Sequence, residues 1–171
     1  MKIFKGVINV ILTLIIVVGG IFIALYLFGI TPYVVLSGSM EPTIKTGSLS
    51  FINKNVKFKD IKEKDIIGFK VGNDTLVTHR VVSKSLNGLT TKGDNNKDLD
   101  GGFVTSNNYV GKNIFWIPKI GYAVTAIQTT TGKVVGITSI VLLFLAGILL
   151  GEDNKKEKKE KKKKLKEKEE E

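Results

Sequence analysis

From Gly6 to Met40 the chain runs for 35 residues without a charged side chain. Within that stretch, Val7 to Ile30 (VINVILTLIIVVGGIFIALYLFGI) is 24 residues of nearly continuous apolar character. An α-helix rises ~1.5 Å per residue, so about 20 residues cross the hydrocarbon core of a bilayer. A cleavable leader has an apolar core of only ~7–15 residues followed by a small-residue cleavage site. The run is too long for that, and a retained membrane anchor is expected over residues 7–30.

A second run, Val134 to Gly151 (VVGITSIVLLFLAGILLG), has 18 uncharged residues. That is the short end of the spanning range. A buried amphipathic helix is the alternative, but the run offers no polar face beyond Thr138 and Ser139. A second transmembrane helix is therefore expected over 134–151, with Thr129-Thr130-Thr131 at the interface. Lys2 and Lys5 precede the first run, and a lysine-rich tail follows the second. Cytoplasmic flanks carry the excess of Lys and Arg, so both termini are expected inside and the cell membrane is the expected location. The layout that follows is a short cytoplasmic N-terminus (1–6), an anchor (7–30), an extracytoplasmic domain (31–133), a second span (134–151) and a cytoplasmic tail (152–171). That tail holds 10 Lys and 8 Asp+Glu in 20 residues. It cannot bury a core, so it is expected to be a solvated helix or disordered.

The 26 Lys+Arg against 16 Asp+Glu give a net charge of +10. Such a balance can signal nucleic acid, but the two apolar runs make the lipid bilayer the first partner and no nucleic acid is expected. Zero cysteines exclude a disulfide scaffold, a thiol nucleophile and thiolate metal sites, and one histidine excludes two-His zinc motifs. No metal or cofactor is expected.

Between the runs the pattern is mainly β. Leu49–Ile52, Ile66–Val71 and Leu76–Val82 are short segments rich in β-branched and aromatic residues. Turn-forming stretches such as Gly72-Asn73-Asp74 and Asn87-Gly88 separate them. Phe115-Trp116-Ile117-Pro118 reads equally as core or as membrane-surface contact.

Three segments of this domain could carry chemistry. Just past the anchor lies Ser37-Gly38-Ser39-Met40-Glu41-Pro42-Thr43. A bare Ser-Gly-Ser is usually a polar turn, but its location matters. Ser39 lies nine residues beyond Ile30, and an extended chain spans at most ~3.3–3.6 Å per residue, so it sits within roughly 30 Å of the end of the run. A serine hydroxyl needs a neighbouring base to become a nucleophile. The one imidazole available is His79, and strand alternation puts Val77, His79 and Val81 on one face and Thr78 and Arg80 on the other. A lone histidine on an apolar face is more often simply packed, yet imidazole is also the side chain suited to move protons near neutral pH. The third segment, Thr91 to Asp100 (TKGDNNKDLD), is turn-like. Its three aspartates lack the spacing and the closing glutamate of a calcium loop. A carboxylate from this segment could instead orient the imidazole.

Taken together, the three segments resemble the boxes of type I signal peptidases. The resemblance spans the outer domain and the membrane topology. Ser37–Thr43 looks like the serine box, Thr78-His79-Arg80-Val81-Val82 like the box that supplies the base, and Lys92–Asn96 followed by Asp100 like the third. The usual bacterial enzymes carry a lysine where His79 stands. A histidine there is the endoplasmic-reticulum-type pattern, shared with archaea and a minority of Gram-positive bacteria. The resemblance implies a small β-rich signal-peptidase-like catalytic domain between an N-terminal and a C-terminal transmembrane helix. It implies a membrane-bound serine endopeptidase that removes signal peptides from secretory preproteins with small residues before the cleavage site. Ser39 would be the nucleophile, His79 the general base, and Asp100, six residues after the Gly-Asp, the acid. Asp94 would be structural or an alternative acid, and Ser37 would help form the oxyanion hole. Val34, Leu36 and the Ile66–Phe69 strand are expected to line the substrate pockets. Two other classes compete: an anchored binding subunit without activity, and a basic ectodomain for anionic polymers. The intact serine, histidine and aspartate set argues against the first. Scattered lysines and a net charge of only +6 over residues 31–133 argue against the second.

Overall fold

The computed structural model describes residues 2–146 and 148. Phe22–Thr129 form one compact unit, and the two flanking segments form another. In chain order the elements are α1 (Lys2–Leu27), β1 (Ile30–Val34), β2 (Leu49–Asn53), β3 (Ile66–Val71), β4 (Thr75–Ser85), β5 (Gly88–Lys92), β6 (Tyr109–Ile117) and α2 (Ile120–Gln128). A further helical stretch covers Thr130–Ala146.

Gly6–Leu27 of α1 is long and apolar enough to cross a bilayer, with a mean hydropathy of 2.9. The helix stops three residues short of the expected limit. Gly29 takes a left-handed φ of +71°, which glycine adopts without steric cost. Ile30 then opens β1 rather than closing the helix. Apolarity alone could not separate the end of a helix from the start of a strand. On the second run, residues 134–146 are helical. Its end, like the tail at 152–171, lies outside the described residues. Considered singly, that helix does not meet the length and hydropathy that α1 meets.

The six strands make one antiparallel sheet in the order β1-β2-β6-β3-β4-β5. The domain is thus mainly β, as the alternating runs imply. The expected strand at Ile66–Val71 matches β3, and the one at Leu76–Val82 lies inside β4. The β3–β4 hairpin turns through Gly72-Asn73-Asp74, where Gly72 and Asp74 have φ of +55° and +66°. The main core gathers Ile61, Ile67, Phe69, Val81, Leu89 and Val104. Ile67 and Leu89 are fully buried, and burying such a side chain stabilises by about 1.5–3 kcal/mol. A second cluster holds Met40, Ile44 and Ile66, with Val35 and Trp116 packed against it. The Phe115–Ile117 segment is therefore divided. Trp116 faces this cluster, while Phe115 and Ile117 remain 39% and 42% exposed. Phe115 also stacks on Phe51, with ring centroids 4.2 Å apart.

Candidate active site

His79 sits in the middle of β4, opposite Ile67 of β3. The alternation that buries Val81 also buries His79, which is 7% exposed. Its ring meets Phe69 edge-on at 6.1 Å. Asp100 comes from the loop after β5, and its Oδ2 lies 2.6 Å from His79 Nδ1. The Thr91 hydroxyl donates to the same Oδ2 at 2.7 Å. A carboxylate can only accept at Nδ1, so in the neutral ring this contact favours the hydrogen on Nδ1 and the lone pair on Nε2.

Ser39 lies on the loop that leaves β1. Its Oγ is 3.3 Å from Ser37 Oγ, the only hydrogen-bond partner of that hydroxyl among the described residues. The loop is held from beneath and from both sides. Met40 and Ile44 plug the second core cluster. Glu41, whose peptide bond to Pro42 is cis, accepts hydrogen bonds from the Thr46 amide at 3.1 Å and hydroxyl at 3.0 Å. Those bonds hold the Glu41 carboxyl below its ordinary pKa. From the other side, the Asn95 amide donates to the Ser39 carbonyl at 2.8 Å. Gly93 makes this approach possible, because a Cβ there would lie 2.6 Å from the same carbonyl oxygen.

Asp94 does not join His79. Arg80 points to the opposite face of β4 and grips Asp94 through two bonds, Nε to Oδ1 at 2.8 Å and Nη2 to Oδ2 at 2.7 Å. The third arm of the guanidinium donates to the Lys64 carbonyl at 2.9 Å. The Arg80 hydrogen bonds, aided by one from Thr43, hold the Asp94 carboxyl below its ordinary pKa although burial opposes them. The same bonds raise Arg80. The two aspartates thus serve opposite faces of one strand. Sequence reasoning favours Asp100 as the acid, with Asp94 as structural or an alternative, and gives neither Arg80 nor Thr91 a role. Strand alternation puts Arg80 on the face away from His79, but alternation alone does not give it Asp94 as its partner.

Ser37, Ser39 and His79 line one cleft of about 400 Å³, with Val34, Leu36 and residues 75–78 of β4 along its sides. Two of the expected pocket residues, Val34 and Leu36, are there. The Ile66–Phe69 strand is not. β3 is an inner strand between β6 and β4, and its Ile66, Ile67 and Phe69 are buried in the core clusters. Phe69 borders a separate cavity on the Asp100 side of His79.

A serine and a carboxylate-backed imidazole on one cleft form the equipment of a serine hydrolase, here in a small antiparallel β domain that follows an apolar helix. The sequence pattern of one family, "Signal peptidase, peptidase S26", matches residues 6–98, more than half of the chain. The chain belongs to that family of signal peptidases. It is 41% identical over 85 residues to signal peptidase I W of Bacillus subtilis, covering 47% of this chain and 45% of that protein. It is also 38% identical over 104 residues to the signal peptidase complex catalytic subunit SEC11 of Colletotrichum graminicola, covering 52% of this chain and 59% of the relative. The dog SEC11C subunit is 37% identical over 101 residues, 52% of each chain. The chain thus spans about half the length of the curated relatives it matches.

Proposed function

We propose that this protein is a membrane-bound serine endopeptidase that removes signal peptides from secretory preproteins. The observation that carries the proposal is the shared cleft: Ser39 and His79 face one cavity, and Asp100 backs His79 at 2.6 Å.

In this mechanism the preprotein chain lies in the cleft with its scissile carbonyl at Ser39. His79 Nε2 takes the Ser39 proton as Oγ attacks the carbonyl carbon. In this structure the Ser39 hydroxyl bonds Ser37 Oγ, and its bond to His79 Nε2 forms when substrate fills the cleft. Asp100 keeps Nδ1 facing it and stabilises the imidazolium that forms. The oxyanion is held by the Ser39 amide and the Ser37 hydroxyl. One such donor is typically worth about 3–4 kcal/mol in the transition state. His79 then gives its proton to the leaving amine. Water, deprotonated by the same ring, attacks the acyl ester and frees Ser39. Asp94 takes no part in proton transfer. Paired with Arg80, it holds the third segment, whose Asn95 amide reaches the Ser39 carbonyl.

The substrate follows from location. Ser39 lies twelve residues past the end of a helix that can span a bilayer, within reach of a cleavage site at the membrane surface. The apolar sides of the cleft, Val34, Leu36 and Val77, suit small side chains before that site. The proposed topology has two spans, 7–27 and 134–151, with residues 31–133 outside and both termini in the cytoplasm. The names of the SEC11 relatives speak of a complex, and a partner subunit for this chain would fit that.

The decisive experiment is cleavage of a model preprotein in detergent or vesicles by the wild type and by Ser39→Ala. Processing should fall to background in the variant while its membrane insertion is unchanged. Full processing by Ser39→Ala would eliminate the proposed nucleophile. No processing by the wild type, with or without a partner subunit, would favour a binding role.

A further inference from the structure

The expected acid lies six residues after Gly93-Asp94, in a loop with no regular structure. Something must hold it still. A catalytic carboxylate on a free loop would sample many positions, and misplacement by about 1 Å can cost 100-fold in rate. The described residues show one anchor for it. Thr91, on β5, is fully buried. Its carbonyl accepts the Asp100 amide at 2.9 Å, and its hydroxyl donates to Asp100 Oδ2 at 2.7 Å. Backbone and side chain of one residue thus close the loop and fix the carboxylate. Oδ2 is also the oxygen that faces His79 Nδ1.

Building on the peptidase mechanism above, we propose that Thr91 is a positioning residue for the reaction: its hydroxyl holds Asp100 at the rotamer that keeps the His79 hydrogen on Nδ1. Thr91 touches no substrate and moves no proton. It acts through Asp100 on the tautomer of His79. Thr91 of β5 pairs with Val81 of β4, two residues along the strand from His79. The rigid sheet therefore positions the base directly and the acid through Thr91. The alternative role is packing alone, because a buried β-branched residue also fills core volume.

Two substitutions separate these roles. Thr91→Val keeps the shape and removes the donor. Thr91→Ser keeps the donor and removes a methyl. Preprotein cleavage by Thr91→Val should show kcat down by about 10- to 100-fold, the scale of a hydrogen bond to a charged group. KM should change little. Thr91→Ser should recover to within about 3-fold of the wild type. The second readout needs no activity. His79 is the only histidine in the chain, so ¹⁵N-histidine labelling reports one ring. Its ¹⁵N shifts should show the Nδ1–H form in wild type and Thr91→Ser, and a larger Nε2–H share in Thr91→Val. Wild-type kcat and tautomer in Thr91→Val would overturn the proposal. So would equal losses in Val and Ser variants, which would mark packing. Should Thr91→Val not fold, Thr91→Ala compared with Thr91→Ser carries the same contrast. If the wild type cleaves nothing, the peptidase mechanism fails, while the tautomer comparison still decides whether Thr91 governs the His79–Asp100 pair.

Discussion

His79 and Ser39 face the same cleft but are held by different means. His79 is on an inner strand of the sheet, 7% exposed, with a ring contact and a short bond to a carboxylate. Ser39 is on a loop. Its hydroxyl meets only another hydroxyl, and its backbone is held by Met40, the Glu41–Thr46 clasp and the Asn95 amide. The proposed base is fixed by the fold, and the proposed nucleophile by its own loop and by an amide borrowed from the third segment. A serine that must form and break an acyl bond has reason to keep fewer bonds of its own. A base that must stay in one tautomer has reason to be locked.

The hardest blow to the locked side is Asp100→Asn. It should retain the fold and lower kcat/KM by roughly 10³–10⁴-fold, because an amide at that position can present the wrong partner to Nδ1. Asp98→Asn, two residues earlier on the exposed loop, should change the rate by less than about 2-fold. Preprotein cleavage measured on the purified variants decides between them. The reverse order would mean that the short bond to His79 is not the catalytic one.

On the borrowed side, Gly93→Ala should cost about 100-fold in kcat, the order expected when a reacting group moves by about 1 Å. The added Cβ would meet the Ser39 carbonyl at 2.6 Å and the Asn96 side chain at 2.8 Å, so the third segment must back away from the serine loop. The His79 tautomer, read by ¹⁵N shifts, should be unchanged. A rate loss with a disturbed tautomer would show that the two sides are not independent.

Much of this was legible in the residues. Val77-His79-Val81 alternation put His79 on a buried face, and β-branched runs marked β2, β3 and β4. β1 was hidden because Ile30 and its neighbours continue the apolar run of α1 without a break in composition. β5 and β6 were missed for another reason. GLTTK is short, and YVGKNIFWI carries Gly111, Lys112 and Asn113 where an isolated strand would be apolar. Their partners supply the context: Lys112 pairs with Asp65 at 2.7 Å, and the Asn113 side chain donates to Ser50 Oγ. The assignment of Asp94 also depended on tertiary structure. Nothing in the spacing of Gly93-Asp94 says that Arg80 claims it from the far face of β4.

The smallest expected effect concerns this far face, which supports both sides. Asp94 has its pKa lowered in the folded protein, first by the Arg80 hydrogen bonds. A carboxyl with a lowered folded pKa binds fewer protons when folded than when unfolded in the window between the two values. Its contribution to stability is therefore complete above the unfolded value, near 3.8, and is lost as pH falls through the lower folded value. Asp94→Asn should accordingly be less stable than wild type at neutral pH, with the gap constant down to about pH 5 and closing below the ordinary aspartate range. Denaturant melts of the two proteins from pH 7 to pH 2.5 measure it. If the gap instead widened on acidification, Asp94 would be favoured in its protonated form, and the Arg80 clasp could not be what holds the third segment against Ser39.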